Sequence, residues 1–324
     1  MDELVQRTRV GFPPLSLIAV LLVASVLLAC GDSPSPVQPT TTASVSSAVS
    51  EPVVPAQPVA PGYEVLIGAG DIAGCGPELA DAEATARLLD SNGGTIFTAG
   101  DNVQAAGTAQ EFRNCYSPTW GRHKDRIRPS PGNHDWQTAS GSAYFDYFGS
   151  AAGPAGRGYY SYDLGAWHVI SLNGNVSMKQ GSAQASWLRQ DLEANRAPCT
   201  LAYWHQPLFS SSTNGNNAAS RDAWQLLYDY GAEVVMNGHD HLFERFAPQD
   251  PSGRRDDARG IRQFTVGTGG KSLSSFGSTQ PNSEVRSNEA FGVLRLTLGS
   301  GSYSWSFLPV AGETFTDSGT ATCH

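Results

Sequence analysis

The chain has 324 residues, a formal charge of −9 at neutral pH and only 16% charged residues. That length allows one large domain or two small ones, and the acidic balance argues against nucleic-acid binding through a basic face. A small phosphorylated partner stays compatible with this charge, because two bound divalent cations would add about four positive charges at the site itself.

The N-terminus predicts an export signal. An apolar run from Leu15 to Ala29 follows two arginines, and it is short for a membrane span of about 20 residues. We therefore assign residues 1–29 to a signal peptide. The run ends at Cys30 in a pattern that resembles the lipobox of bacterial lipoproteins, in which the cysteine carries the lipid. An uncleaved membrane anchor is the alternative, and both interpretations place the rest of the chain outside the cytoplasm.

Residues 30–61 are rich in Pro, Ser, Thr and Val, with almost no charge and no periodicity. This composition predicts a disordered tether. We expect it to hold the folded domain, residues 62–324, away from a membrane that only the lipid anchor at Cys30 would contact. The sequence does not indicate an oligomeric state.

Four cysteines remain in the predicted domain. An even number in an exported protein predicts two disulfides, and three pairings are possible. We favour Cys75–Cys115, because it would tie two loops beside the candidate site. We pair Cys199 with Cys323, because that bond would pin the C-terminal tail.

The domain begins with a predicted strand, helix and strand at residues 63–69, 78–91 and 95–99, from their apolar and helical spacing. This order is typical of parallel strands joined by a helical crossover. The later predicted elements are a hairpin (159–163 and 167–172), helices at 183–195 and 219–230, and strands at 200–204, 233–236, 261–266, 291–298 and 303–308.

Residues that bind divalent metals concentrate in five separated fragments, which hold four of the seven histidines. Most of the fragments directly follow a predicted strand, and ligands of open α/β sheets bind beyond the carboxyl ends of strands. Side chains distant in the sequence can therefore meet at one edge. The fragments are Gly70-Asp71, Gly100-Asp101, Gly132-Asn133-His134-Asp135, Trp204-His205 and Gly238-His239-Asp240-His241.

Each fragment predicts a different role. Asp101 is our candidate bridge, because one carboxylate can join two metals about 3.5–4 Å apart. Asn133 would offer a neutral amide oxygen to a metal and to the substrate, although alone it would be a turn residue. His134 suits a catalytic proton donor to the leaving oxygen or a donor to the phosphate. Asp135 is predicted to orient that imidazole, with a helix N-cap as the alternative.

The mixed carboxylate, amide and imidazole ligand set suits Mn, Fe or Zn. Two such cations lower the pKa of a bound water to about 7, so a metal-bound hydroxide could attack phosphorus. The leading hypothesis is therefore hydrolysis of a small phosphomonoester. A phosphodiesterase or nucleotide hydrolase is one alternative. A non-catalytic surface module that binds phosphate or metal is the other.

In this order the five fragments resemble those of calcineurin-like metallophosphoesterases, in particular the branch that includes purple acid phosphatases. The likeness covers about residues 63–245. It implies an α/β four-layer αββα sandwich, in which two mixed β-sheets pack face to face between flanking helices, with a two-metal site at one sheet edge. By this resemblance Asp71, Asp101 and His241 would hold one metal, and Asp101, Asn133, His205 and His239 the other.

Three positions depart from the family pattern. Ala73, Gln104 and Gln206 stand where members of the family often carry a His, a Tyr and a second His. The first metal is therefore left with three clear protein ligands, and Gln104, water or a reduced Cys75 could complete it. Arg245 is a further candidate for contact with the substrate, and a structural pair with a carboxylate is its alternative.

Overall fold

The computed structural model describes residues 62–324. The expected signal peptide (1–29), the lipidation at Cys30 and the tether (30–61) lie outside the described residues. Within 62–324 the chain forms thirteen strands and six α-helices. The strands are β1 (Glu64–Ala69), β2 (Thr95–Ala99), β3 (Ile127–Ser130), β4 (Tyr160–Leu164), β5 (Trp167–Ser171), β6 (Cys199–Tyr203), β7 (Val234–Asn237), β8 (Phe243–Phe246), β9 (Arg262–Val266), β10 (Ser283–Ser287), β11 (Gly292–Gly299), β12 (Ser302–Pro309) and β13 (Ser318–Thr322). The helices are α1 (Leu79–Ser91), α2 (Ala109–Glu111), α3 (Asn133–Gln137), α4 (Ser142–Phe148), α5 (Ala183–Ala194) and α6 (Arg221–Asp229).

The strands form two mixed sheets. The first has the order β13-β12-β11-β1-β2-β3, and the second has the order β10-β8-β9-β7-β6-β5-β4. Strands β1, β2 and β3 run parallel to one another, as do β5, β6, β7 and β9. The antiparallel strands lie toward the outside of both sheets. Each sheet therefore presents several neighbouring carboxyl ends at one edge.

Alternate residues of the second sheet face two different cores. Val169 and Leu201 join the core that also contains apolar side chains of the first sheet. Ile170 and Ala202 face the opposite way, into a core shared with α5 and α6. Strands buried on both faces have nearly continuous apolar sequences. Helix α1 packs against β11 of the first sheet, so the predicted four-layer αββα sandwich is confirmed.

The structure contains most of the predicted elements, with ends shifted by one or two residues. Four strands were not predicted: β3, β8, β10 and β13. The sequence of β3 includes Pro129, and β3 forms an edge of its sheet, where proline is tolerated because no further strand needs its missing N–H. Strand β13 has the sequence SGTAT, with little apolar character. Both strands form through pairing with a neighbour.

Both favoured disulfides are present. Cys75 is bonded to Cys115, and Cys199 is bonded to Cys323. The second bond joins β6 to the C-terminal tail across 124 positions, as expected. Among residues 62–324, none of the helices combines the length and the apolar character that crossing a bilayer requires.

Candidate metal centre

The ends of five parallel strands meet at one edge of the sandwich. Asp71 lies just beyond β1, Asp101 beyond β2, and Asn133 begins α3 after β3. From the second sheet, His205 lies beyond β6 and His239 beyond β7. Because neighbouring parallel strands end side by side, the fold brings together fragments that span 170 positions of the sequence.

Three glycines let these backbones approach closely. A Cβ atom on Gly70 would lie 2.8 Å from the oxygen of Ala99 and 3.1 Å from Cα of Gly238. A Cβ atom on Gly132 would lie 2.0 Å from Oδ1 of Asp101. These separations are too short for any side chain. Glycine is thus required where the two sheets converge and where α3 begins.

One oxygen of each aspartate is held by a backbone N–H group. The N–H of His239 donates to Oδ2 of Asp71 at 2.7 Å, and the N–H of His134 donates to Oδ1 of Asp101 at 2.8 Å. The remaining oxygens face the centre. Oδ1 of Asp71 is buried without a hydrogen-bond partner, and Oδ2 of Asp101 lies 3.1 Å from Nε2 of His205.

Backbone carbonyl groups orient two of the imidazoles. Nδ1 of His205 donates to the oxygen of Ala99 at 2.8 Å, and Nδ1 of His241 donates to the oxygen of Ser272 at 2.9 Å. In both rings Nε2 is left to face the centre. Metal-binding histidines commonly use this arrangement, because the outer hydrogen bond fixes the tautomer and the ring orientation.

The candidate ligand atoms form one compact group. Nε2 of His205 and Nδ1 of His239 lie 3.1 Å and 3.0 Å from the amide oxygen of Asn133. Nε2 of His241 lies 3.3 Å from Oδ1 of Asp71. One ligand atom each from Asp71, Asp101 and His205 lies within 4.8 Å of the others. All six predicted metal ligands therefore face the same small volume: Asp71, Asp101, Asn133, His205, His239 and His241.

The backbone is strained at three of these residues. Asp71, Asp101 and His239 have φ values of 58°, 48° and 71°. Such left-handed conformations cost non-glycine residues roughly 1–3 kcal/mol and concentrate at functional sites. This strain is stabilised by the surrounding fold and supports a functional role for the edge.

The carboxylates give the centre a negative potential. Burial lowers the pKa of His205, but the charges of Asp101 and Asp71 raise it by more, to about 10. Burial raises the pKa of Asp71, yet the nearby His241, His205 and His239 together lower it by more. Burial and the charge of His205 both lower the pKa of His239. A cation at this edge is therefore favoured electrostatically.

This donor set fits divalent metal ions. The carboxylate oxygens, the amide oxygen and the imidazole nitrogens are the atom types that Mn, Fe and Zn accept. The buried and unpartnered Oδ1 of Asp71 is the clearest sign, because buried carboxylate oxygens are otherwise paired. A bound cation would supply the partner that this oxygen lacks.

The two predicted catalytic residues, His134 and Asp135, have different contacts. His134 has Nδ1 2.8 Å from the oxygen of Ala105, and its Nε2 lies 3.8 Å from Oδ2 of Asp101. Asp135 does not contact the imidazole, contrary to our first expectation. Its carboxylate accepts hydrogen bonds from the N–H groups of Gly132 and Asn102. Gly132 is the N-cap of α3, and Asp135 at its third position accepts the Gly132 N–H, so the predicted N-cap role for Asp135 is also wrong. Ala105 orients His134.

Arg245 does not face the centre, which corrects our prediction that it contacts the substrate. Its Nε donates to Asp317 at 2.8 Å, and Nη1 donates to Glu284. The guanidinium also lies over the ring of Trp305. These partners belong to or flank β10, β12 and β13. Arg245 therefore connects outer strands, which matches the alternative interpretation, a structural pair with a carboxylate.

Ala73 and Gln104, two positions that differ from the family pattern, are hydrogen-bonded to each other. Ala73 is fully buried and offers no ligand atom, and its oxygen accepts the N–H of Gln104 at 3.0 Å. The Nε2 group of Gln104 is buried without a partner. Cys75 is committed to its disulfide and is excluded as a thiolate ligand. Gln104 is thus the side chain beside Ala73 whose amide group makes no hydrogen bond through Nε2.

Sequence reasoning missed a polar cluster beneath the His239–His241 turn. Asp240 is fully buried and accepts hydrogen bonds from the hydroxyls of Ser210 and Ser212 at 2.5 Å and 2.6 Å. Nδ2 of Asn214 donates to it at 2.8 Å. The signal was an acidic residue between two candidate ligands, together with three consecutive serines after His205. This cluster joins the two ligand-bearing loops of the second sheet.

Comparison with known proteins places this edge in a family context. A family model described as calcineurin-like phosphoesterase matches residues 60–243. Purple acid phosphatase 15 of Arabidopsis thaliana is 28% identical over 182 residues, which cover 49% of this chain and 34% of that protein. Probable inactive purple acid phosphatase 9 of the same plant is 29% identical over 151 residues, covering 43% and 22%. The chain therefore spans much less than half of either relative.

A solved structure shares the architecture. The purple acid phosphatase PPD1 from yellow lupin (Lupinus luteus) seeds superposes with a TM-score of 0.66 at 17% identity. The match covers 80% of this chain and 54% of the lupin protein. At this level of identity the likeness supports the fold and carries no statement about substrates.

Proposed function

The chain belongs to the calcineurin-like phosphoesterase family, whose model matches residues 60–243, and on that premise we propose that it is a metal-dependent phosphomonoesterase. One observation carries the proposal. Ligand atoms of Asp71, Asp101 and His205 lie within 4.8 Å of one another, all three residues are buried, and the buried Oδ1 of Asp71 has only Nε2 of His241 near it, at 3.3 Å. Two bound cations would supply the charge that activates a water and polarises a phosphoryl oxygen.

The contacts support the proposed ligand assignment. Asp71 and His241 would hold one cation, and Asn133, His205 and His239 the other. Asp101 lies between these groups, because Oδ2 is 3.1 Å from His205 and the other oxygen is held by the N–H of His134. The carbonyl groups behind His205 and His241 keep both rings facing inward. The protein thus supplies a rigid set of ligands before any substrate arrives.

His134 is the proposed proton donor. With Nδ1 directed to the oxygen of Ala105, its Nε2 faces Asp101 and the open side of the centre. Because Nδ1 donates to Ala105, Nε2 carries a proton only when the ring is doubly protonated, and that proton can then pass to the leaving oxygen of a monoester as the ester bond breaks. Asn133, which begins α3 immediately before His134, is the proposed donor of an amide N–H to a phosphoryl oxygen.

Two alternatives remain to be separated by experiment. A diester or nucleotide hydrolase would use the same centre with a different substrate pocket. A module without turnover is favoured by Ala73, which offers no ligand at its position, and by a relative named as probably inactive.

The test combines metal analysis with two chromogenic esters. Protein purified without added metal is analysed for Mn, Fe and Zn, and is then assayed on 4-nitrophenyl phosphate and bis(4-nitrophenyl) phosphate. We expect about two metal equivalents and faster hydrolysis of the monoester. Faster hydrolysis of the diester would replace the monoesterase proposal. Bound metal without hydrolysis of either ester would favour the binding module.

We also propose that the domain is exported and lipid-anchored through Cys30, with residues 1–29 removed and 30–61 as its tether. The two disulfides, Cys75–Cys115 and Cys199–Cys323, support an oxidising compartment. Cell fractionation of the wild type and of Cys30→Ser tests the anchor. Release of the variant into the soluble exported fraction is expected, and retention of both proteins on the membrane would contradict it.

A further inference from the structure

Asp135 is a buried carboxylate that the proposed mechanism leaves without a role. It is fully buried and lies two positions after Asn133, a candidate metal ligand. Four hydrogen bonds reach it. The N–H groups of Gly132, Asn102 and Val103 donate at 2.9, 3.0 and 3.2 Å, and Nδ2 of Asn102 donates at 2.9 Å. An ionised carboxylate only accepts hydrogen bonds, so this one side chain satisfies all four donors.

The donors come from two segments that each carry a candidate metal ligand. Asn102 and Val103 directly follow Asp101, the proposed bridge. Gly132 is the residue before α3, whose first residue is another candidate ligand. Three of the four donor groups lie 32 or 33 positions before Asp135, so these contacts form only in the folded chain. Asp135 therefore connects the loop beyond β2 to the start of α3.

The connection between the two segments runs in both directions. Asp135 accepts the N–H of Asn102 at 3.0 Å, and Asp101 accepts the N–H of His134 at 2.8 Å. Each carboxylate thus binds a backbone donor of the other segment. The segments also lie in close contact, because a Cβ atom on Gly132 would be 2.0 Å from Oδ1 of Asp101. These hydrogen bonds therefore fix the two segments relative to each other.

Helix α3 depends on such contacts for its position. It has five residues, Asn133–Gln137, and helices this short are not stable by themselves in water. The amide oxygen of its first residue lies 3.1 Å from Nε2 of His205 and 3.0 Å from Nδ1 of His239. A displacement of the helix start would therefore move Asn133 away from the other candidate ligands.

We propose that Asp135 is a positioning residue of the metal centre, which keeps Asp101 and Asn133 in place for metal binding. The inference rests on the proposed metal-dependent function and adds a residue that contacts neither metal nor substrate. Groups that hold metal ligands from behind commonly act in this way, and their loss typically lowers metal affinity by about 10- to 100-fold. Asp135 acts through its four hydrogen bonds and not through its charge.

The test measures how tightly metal-free protein binds Mn²⁺, Fe²⁺ and Zn²⁺ in separate calorimetric titrations, with iron under anaerobic conditions. Asp135→Ala removes all four acceptor contacts and is expected to lower the affinity by about 10- to 100-fold. Asp135→Asn keeps the shape and one carbonyl oxygen, which can accept from the three donors that share Oδ2 in the wild type. A smaller loss is expected for this variant, because it gives up only the contact with Val103.

Asp250→Ala is the matched control. Asp250 is also buried, and its carboxylate accepts the N–H groups of Ser252 and Arg254 at 2.8 and 3.0 Å, together with Nε of Arg254 at 2.8 Å. It lies in the loop between β8 and β9, which carries none of the candidate metal ligands. Urea denaturation of metal-free protein measures the stability of each variant. The control is expected to lose stability and to keep wild-type metal affinity.

The outcomes distinguish this inference from the proposed function. Lower affinity in Asp135→Ala, a smaller loss in Asp135→Asn and wild-type affinity in Asp250→Ala would support the positioning role. Equal losses in the two Asp135 variants would assign the effect to charge, and an equal loss in Asp250→Ala would assign it to general destabilisation. Either result, or wild-type affinity in every variant, would overturn the inference and leave the metal-dependent function intact. A wild type that binds none of the three cations would overturn both.

A second variant covers the case in which Asp135→Ala does not fold, as judged by circular dichroism. Asn102→Ala removes the 2.9 Å hydrogen bond from Nδ2 to Asp135 and keeps the backbone donors. Lower metal affinity in folded Asn102→Ala would then support the positioning role, and unchanged affinity would overturn it.

Discussion

The backbone N–H of His239 donates a 2.7 Å hydrogen bond to Oδ2 of Asp71, which lies 168 positions earlier in the chain. This bond joins the end of a strand in one sheet to the end of a strand in the other. It also leaves the buried Oδ1 of Asp71 on the side of the other candidate ligands, 3.3 Å from Nε2 of His241. This one hydrogen bond therefore both connects the two sheets and orients Asp71, a candidate metal ligand.

Asp101→Ala should abolish metal binding at the centre. Asp101 lies between the two groups of ligands, with Oδ2 3.1 Å from His205, so its loss removes the carboxylate shared by both cations. Elemental analysis after dialysis gives the number of bound metal equivalents. Asp125→Ala, at an exposed position, is the control and should retain wild-type metal content. Two equivalents retained by Asp101→Ala would rule out the bridging role.

His134→Ala should lower kcat by about 10²- to 10⁴-fold, the range for loss of a general acid, while metal content persists. The reason is that Nε2 of His134 faces the open side of the centre, 3.8 Å from Oδ2 of Asp101. The loss should be larger for an alkyl phosphate than for 4-nitrophenyl phosphate, whose leaving group needs less protonation. Full activity of the variant on the alkyl ester would refute the assignment.

Asp240→Ala should destabilise the protein even without metal. Two serine hydroxyls and one amide donate to this buried carboxylate, and each donor left unpaired costs about 1–3 kcal/mol. Chemical denaturation of metal-free protein measures the free energy of unfolding. Ser210→Ala removes one donor and keeps the carboxylate, so its loss should be smaller. Equal stability of Asp240→Ala and wild type would show that the cluster does not hold the turn.

His168 should make stability depend on pH away from the centre. Burial lowers its pKa, but Asp191 and Asp163, at 2.8 Å and 2.9 Å, raise it by more. The stabilisation is complete below the unfolded-state pKa of about 6.5 and is lost as the pH rises through the higher folded-state pKa. Urea denaturation at several pH values should show this loss in wild type and a smaller one in His168→Gln. Identical pH profiles of the two proteins would contradict the prediction.

Local patterns were sufficient for the first strand–helix–strand unit of the fold. Strands β1 and β2 and helix α1 were predicted from apolar spacing, because each buries a continuous or amphipathic set of side chains. Strand β3 was missed, since its four residues include Arg128 and Pro129 and only pairing with β2 makes them a strand. Strand β13 was missed for the same reason, with β12 as its partner.

The sequence by itself determined which residue types could bind metal and where the chain would turn, because a strand, a glycine and a ligand are adjacent along the chain. Only the tertiary structure decided what each side chain contacts. Asp135 accepts a hydrogen bond from the N–H of Asn102, 33 positions away, and Arg245 donates to Asp317, 72 positions away. The physical reason is that these hydrogen-bond partners come from segments distant in the sequence, and a short-range electrostatic contact exists only once folding has placed the two groups within about 3 Å.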